Sequence, residues 1–79
     1  MILLFQNWQG DLRVISNPST KDEVLKDIRK FCNERNYEIP YIRFWDKQLD
    51  DGTKKRTYDV GSHHEFFVLE GVKKNVHKN

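Results

Sequence analysis

Three features of the sequence predict a small α+β domain: an antiparallel sheet with one helix packed on one face, in the order ββαβββ. From Thr20 to about Arg35, apolar residues recur at helical spacing. Two short runs before that segment and three after it are rich in branched and aromatic residues, as strands are. The connections between neighbouring runs are short and hold turn formers, which favours antiparallel pairing and lays the helix across one face of the sheet.

Ile2–Phe5 and Asp11–Ile15 are the first two strands, joined through Gln6-Asn7-Trp8-Gln9-Gly10 as a hairpin. In the second, Leu12 and Val14 share one face while Arg13 and Ile15 share the other. Ser16 to Thr20 is a cluster of turn formers. Thr20, followed three residues later by Glu23, fits a capping box in which the hydroxyl and the carboxylate satisfy each other's backbone amides. Val24, Leu25, Ile28, Phe31 and Cys32 then face inward, with Lys21, Asp22, Lys26, Asp27, Lys30 and Glu34 outside. Arg29, Lys30 and Arg35 gather toward the negative end of the helix dipole, and Asn33 or Asn36 takes the left-handed cap.

The third strand is expected over Ile39–Trp45, starting at Pro40 because proline has no donor for a ladder. Ile42 and Phe44 then face the helix, and Tyr41, Arg43 and Trp45 face away. Asp46 to Gly52 reads as a loop centred on an Asp-Gly turn, with Lys54-Lys55-Arg56 leading into a fourth strand at Thr57–Val60. Gly61 can take positive φ, so the chain bends there, and Ser62, His63 and His64 lie in the bend. Glu65–Glu70 is the fifth strand. Both its faces are apolar, as in a central strand. Residues 1–72 make one domain, and 73–79 a basic, flexible tail.

The 79 residues carry a net charge of +2 and 13% aromatic residues. That aromatic content argues for a folded core, and the weak field permits nucleic acid without indicating it. The single Cys32 rules out an internal disulfide framework. Met1-Ile2-Leu3-Leu4-Phe5 is too short for the apolar region of a signal peptide, and no apolar run approaches the roughly 20 residues that span a bilayer. The expected setting is the cytoplasm, with no membrane.

Four groups of residues carry candidate chemistry. Asp59, His63, His64 and Glu65 offer metal ligands within seven residues. Adjacent strand residues point to opposite faces, however, and no second His or Cys cluster completes a site, so no metal and no cofactor is expected. Ser62 beside His63 is adjacency in sequence, and the chain has no Gly-rich phosphate loop or nucleophile elbow. No catalytic residue is assigned, and an enzyme is not expected. Lys54, Lys55, Arg56, Lys73 and Lys74 could track phosphates, with aromatics as stacking platforms, but Asp46, Asp50, Asp51 and Asp59 lie in the same neighbourhood. Tyr41, Arg43 and Trp45 are residue types enriched at interface hot spots, and their period of two makes one stripe. That stripe is either open to a partner or folded beneath the Asp46–Gly52 loop.

Ile39-Pro40-Tyr41-Ile42-Arg43-Phe44-Trp45 and Asp59-Val60-Gly61-Ser62-His63-His64-Glu65-Phe66-Phe67 resemble a loose group of small phage and prophage proteins of Gram-positive bacteria. In that group an I-P-Y-x-R-x-W segment is followed by D-x-G-S-x-x-x-F-F. The resemblance covers about the C-terminal half and implies a phage setting in the host cytoplasm. Small accessory proteins of that setting commonly bind a host protein such as a defence nuclease or polymerase. The expected function is therefore a protein-binding module that modulates or inhibits a bacterial host factor through Tyr41, Arg43, Trp45, His63 and His64. A homodimer is a further possible partner arrangement. The alternative is a nucleic-acid-binding accessory protein using residues 54–56 and the C-terminal bases.

Overall fold

The two most apolar runs, Leu3–Phe5 and Phe66–Leu69, lie side by side in the middle of one sheet. A computed structural model describes residues 1–73, with side chains through Gly71. Its elements are β1 (Ile2–Gln6), β2 (Leu12–Ser16), α1 (Lys21–Glu34), β3 (Arg43–Gln48), β4 (Thr53–Asp59) and β5 (Phe66–Lys73). All five strands join one antiparallel sheet in the order β2-β1-β5-β4-β3. The ββαβββ order and the α+β class are as the sequence predicts. No helix is long and apolar enough to cross a membrane among the described residues.

The core lies between α1 and one face of the sheet. Val24, Ile28 and Cys32 of the helix pack with Leu3, Phe5, Phe67, Leu69, Tyr58 and Val60. Phe5, Phe31 and Phe67 form a three-ring cluster with centroids 4.9 to 5.6 Å apart. Thr20 caps the helix, its hydroxyl accepting from the Glu23 amide at 3.2 Å. The reciprocal bond departs from the expected box, because the Glu23 carboxylate accepts from the Ser19 amide instead of that of Thr20. At the other end Asn36 takes a φ of 58°. The Tyr37 amide donates to Cys32 O and the Asn36 amide to Asn33 O, a Schellman closure that turns Tyr37 back onto the core.

Both hairpin tips use the same device. Asn7–Gly10 and Leu49–Gly52 each close an i-to-i+3 bond, with the glycine at positive φ in the left-handed position. Two bulges interrupt the alternation. In β2, Ile15 is the extra residue between Val14 and Ser16, which turns it toward the core and lets the Ser16 hydroxyl reach Asp27 at 2.7 Å. In β5, Glu70 and Gly71 stand opposite Lys55, with Gly71 at positive φ.

Strand boundaries in the C-terminal half differ from expectation. β3 begins at Arg43 instead of Ile39, because Ile39 and Ile42 turn in against the core and the Pro40 ring packs on Gly61. β3 then runs on through Asp46, Lys47 and Gln48, expected to be loop, and β4 takes in Lys54, Lys55 and Arg56. Charged residues hold the ladder there because Asp46 and Arg56 stand opposite one another and pair. β5 starts at Phe66 and includes Lys73, so the expected basic tail loses its first residue. The rest of that tail lies outside the described residues.

Candidate partner-binding face

The residues that carry the two sequence motifs meet in a clasp at one end of the sheet. Asp59 is 6% exposed, the one buried charged residue described. Its Oδ2 accepts from Arg43 Nε at 2.9 Å, and its Oδ1 accepts from the Gly61 amide at 2.9 Å. Burial pushes the Asp59 carboxyl up, but the Gly61 amide, the Arg43 guanidinium and His63 outweigh it and hold it below the usual carboxylate range. Gly61 has a φ of 90°, and a Cβ built there would lie 2.5 Å from Pro40 Cγ. The Tyr37 hydroxyl donates to Val60 O at 2.9 Å and completes the clasp.

This clasp reassigns part of the predicted stripe. Arg43 is held by Asp59, with its guanidinium 5.6 Å from the centre of the Tyr41 ring. Tyr41 lies outside β3 and is half exposed. Trp45 is not folded beneath the 46–52 segment. It is 48% exposed on the sheet face away from α1, edge-on to Phe66 at 6.3 Å. His63 and His64 are exposed in the bend after Gly61, with ring centroids 6.3 Å apart. No three His, Cys, Asp or Glu side chains gather in a metal-holding geometry among the described residues.

What the structure adds is the rest of the face on which Trp45 lies. Cα partners run Val14, Leu4, Val68, Thr57 and Trp45 straight across all five strands. At about 4.8 Å per strand this row is roughly 19 Å wide. Ile2 stands on one side of it, Leu12 and Phe66 on the other. Leu4 and Val68 are sealed by their neighbours, whereas Ile2, Leu12, Val14 and Trp45 are between 42% and 55% exposed. Most exposed apolar residues on a surface are single, whereas here Ile2, Leu12 and Val14 cluster on the β1–β2 side and Trp45 with Phe66 lies toward β3, at the two ends of one face, an arrangement that marks a contact surface. The one signal in the sequence was the shared face of Leu12 and Val14. Their alignment with Trp45 depends on the order of the strands.

The basic segment does not form one patch. Alternation puts Lys55 on the opposite face from Lys54 and Arg56. Arg56 grips Asp46 through two bonds of 2.7 and 2.9 Å and stacks 3.9 Å over the Phe44 ring. That fork pulls the Asp46 carboxyl below its ordinary value and leaves Arg56 few donors for a phosphate. The side chain of Lys73 and the whole of Lys74 lie outside the described residues.

On the helix side, a cavity of about 200 Å³ is bounded by Phe5, Phe31, Cys32, Arg35, Tyr37 and Glu65. Arg35 covers it, stacked 4.8 Å over Phe5 and 3.5 Å from the Glu65 carboxylate. Burial pushes the Cys32 thiol up, away from the thiolate a nucleophile needs. Against protein-family models, curated proteins and solved structures, the chain finds no match.

Proposed function

We propose that this chain is a protein-binding module whose open sheet face, centred on the Val14–Leu4–Val68–Thr57–Trp45 row, is covered by a bound protein. The row itself carries the reading: it is apolar on four of its five strands, broken only by Thr57, and crosses a sheet whose other face is already occupied by α1. Trp45 and the neighbouring Tyr41 supply large, rigid contact area at low entropic cost, and Arg43 adds donors at the rim. The resemblance of the C-terminal half to small phage and prophage proteins supports a bacterial host factor as the bound protein, with modulation or inhibition as the outcome. His63 and His64, exposed beside the clasp, extend the contact at its rim.

The test is capture from bacterial lysate by the tagged chain, followed by titration with the purified captured protein. Val14→Lys puts a charge in the row at an exposed position and abolishes binding, whereas Lys26→Glu on the outer face of α1 leaves it intact. Equal capture by both variants sinks the reading. Retention of nucleic acid with a steep salt dependence would instead favour the basic segments.

A further inference from the structure

The two edges of the sheet are not alike. β2 is interrupted by the Ile15 bulge and followed by Asn17-Pro18, devices that keep an edge from pairing further. β3 is a regular strand of six residues, exposed throughout, with no bulge against β4 and no proline. Its charges are also drawn inward. Arg43 is paired with Asp59 and Asp46 with Arg56, which leaves Lys47 alone to guard the edge.

We propose that β3 pairs antiparallel with β3 of a second copy, about a twofold axis through Phe44 normal to the sheet. Such an axis keeps both helices on one side and both apolar rows on the other, and makes the contact isologous. The charges of the strand select the register. An axis at Arg43, Asp46 or Lys47 sets that charge against its own copy. An axis at Trp45 sets Arg43 against Lys47, and one at Gln48 sets Asp46 against Asp50. Like charges directly opposite each other destabilise a strand pair. At Phe44 none meet. There Arg43 of each copy stands opposite Trp45 of the other on the open face, a cation–π pairing made twice. The two Phe44 rings, each with Arg56 stacked on it, meet on the helix side, beside a groove of about 280 Å³ lined by Leu25, Ile42, Phe44 and Tyr58 and by four charged side chains, Arg56 among them. The ten-stranded sheet that results carries one continuous open face. This inference goes beyond the partner reading and stands without it, because it rests on the strand edge and engages the open face only at Arg43 and Trp45, leaving the Val14–Leu4–Val68 part of the row uncovered.

Sedimentation equilibrium of the purified chain, followed by disulfide trapping of single-cysteine additions, tests it. The wild-type mass approaches twice the 9.5 kDa of one chain as concentration rises. Phe44→Cys crosslinks under mild oxidation, because residues on the axis have Cα atoms about 4.5–5.5 Å apart, within disulfide reach. Lys47→Cys does not, since its two copies stand roughly 20 Å apart along the strands. Cys32 is buried at 5% exposure and does not compete. A wild-type mass of one chain at every concentration overturns the proposal, as does trapping at Lys47→Cys equal to that at Phe44→Cys. Either result leaves capture through the open face untouched.

Discussion

Arg43 and Asp59 stand opposite one another on β3 and β4, and Arg43 Nε donates to Asp59 Oδ2 across 2.9 Å. Read from sequence, Arg43 belongs to a stripe of interface residue types with no partner of its own in the chain. With Asp59 behind it, removal of the guanidinium leaves a buried carboxylate with one donor fewer. Arg43→Ala is expected to lower stability by about 1–2 kcal/mol, the value of a charged hydrogen bond discounted for the exposure of Arg43. Arg43→Glu lowers it further by setting two carboxylates together. Urea unfolding of the three proteins checks the order, and equal midpoints would show that the pair contributes nothing.

The same contact sets a pH dependence. The Asp59 carboxyl is held low in the folded chain, whereas in the unfolded chain it titrates near 3.9, about the ordinary value. The unfolded state therefore binds protons first as the pH falls. The stabilisation is complete above that unfolded value and is lost as the pH drops through the folded one. The melting temperature of Asp59→Asn is expected to lie below that of the parent at neutral pH, with the gap closing in acid. A gap that stays constant down the pH series would assign the effect to lost packing.

Gly52 and Gly61 share nearly the same φ, 86° and 90°, but differ in surroundings. Nothing lies within 4 Å of a Cβ at Gly52, whereas Pro40 occupies the place of one at Gly61. Gly52→Ala is expected to cost about 1–2 kcal/mol, the left-handed penalty alone. Gly61→Ala costs more, because the Pro40 segment must also move. Thermal melts of both variants decide it, and equal losses would remove the Pro40 contact from the account.

Phe66 and Phe67 are adjacent but face opposite sides of β5. Phe67 is 1% exposed in the three-ring cluster, whereas Phe66 is half-buried on the open face against Trp45. Phe67→Ala is expected to cost about 3–5 kcal/mol, enough to unfold a domain of this size. Phe66→Ala costs clearly less and weakens partner binding instead. Denaturant midpoints measured beside the binding titration separate the two, and equal destabilisation would mean that the open face is covered within the folded chain.

Much of the local structure was legible because its causes are local. Thr20, the spacing of Val24, Ile28 and Cys32, and Asn36 define α1 through contacts within a few residues. Gly10 and Gly52 mark their hairpin turns by the same logic. The start of β3 was misread because Ile39 and Ile42 look strand-like by composition, yet they are drawn inward by a core and a Gly61 contact some twenty residues away along the chain. Lys54–Arg56 read as a lead-in because charge suggests a loop, whereas the Asp46 opposite makes it strand.

By itself the sequence determined the helix, its two stops, the number of strands and the central place of Phe66–Leu69, all consequences of periodicity and short-range bonding. Only the tertiary structure decided that β1 lies against β5 and that β2 and β3 become the two edges. That order arises because α1 carries the chain across the sheet, and the two most apolar strands gain most from sitting together in its middle. Strand order in turn aligns Val14 with Trp45 and sets Arg43 against Asp59. Residues far apart in the chain thereby become one face and one clasp, which no periodicity within a single segment can specify.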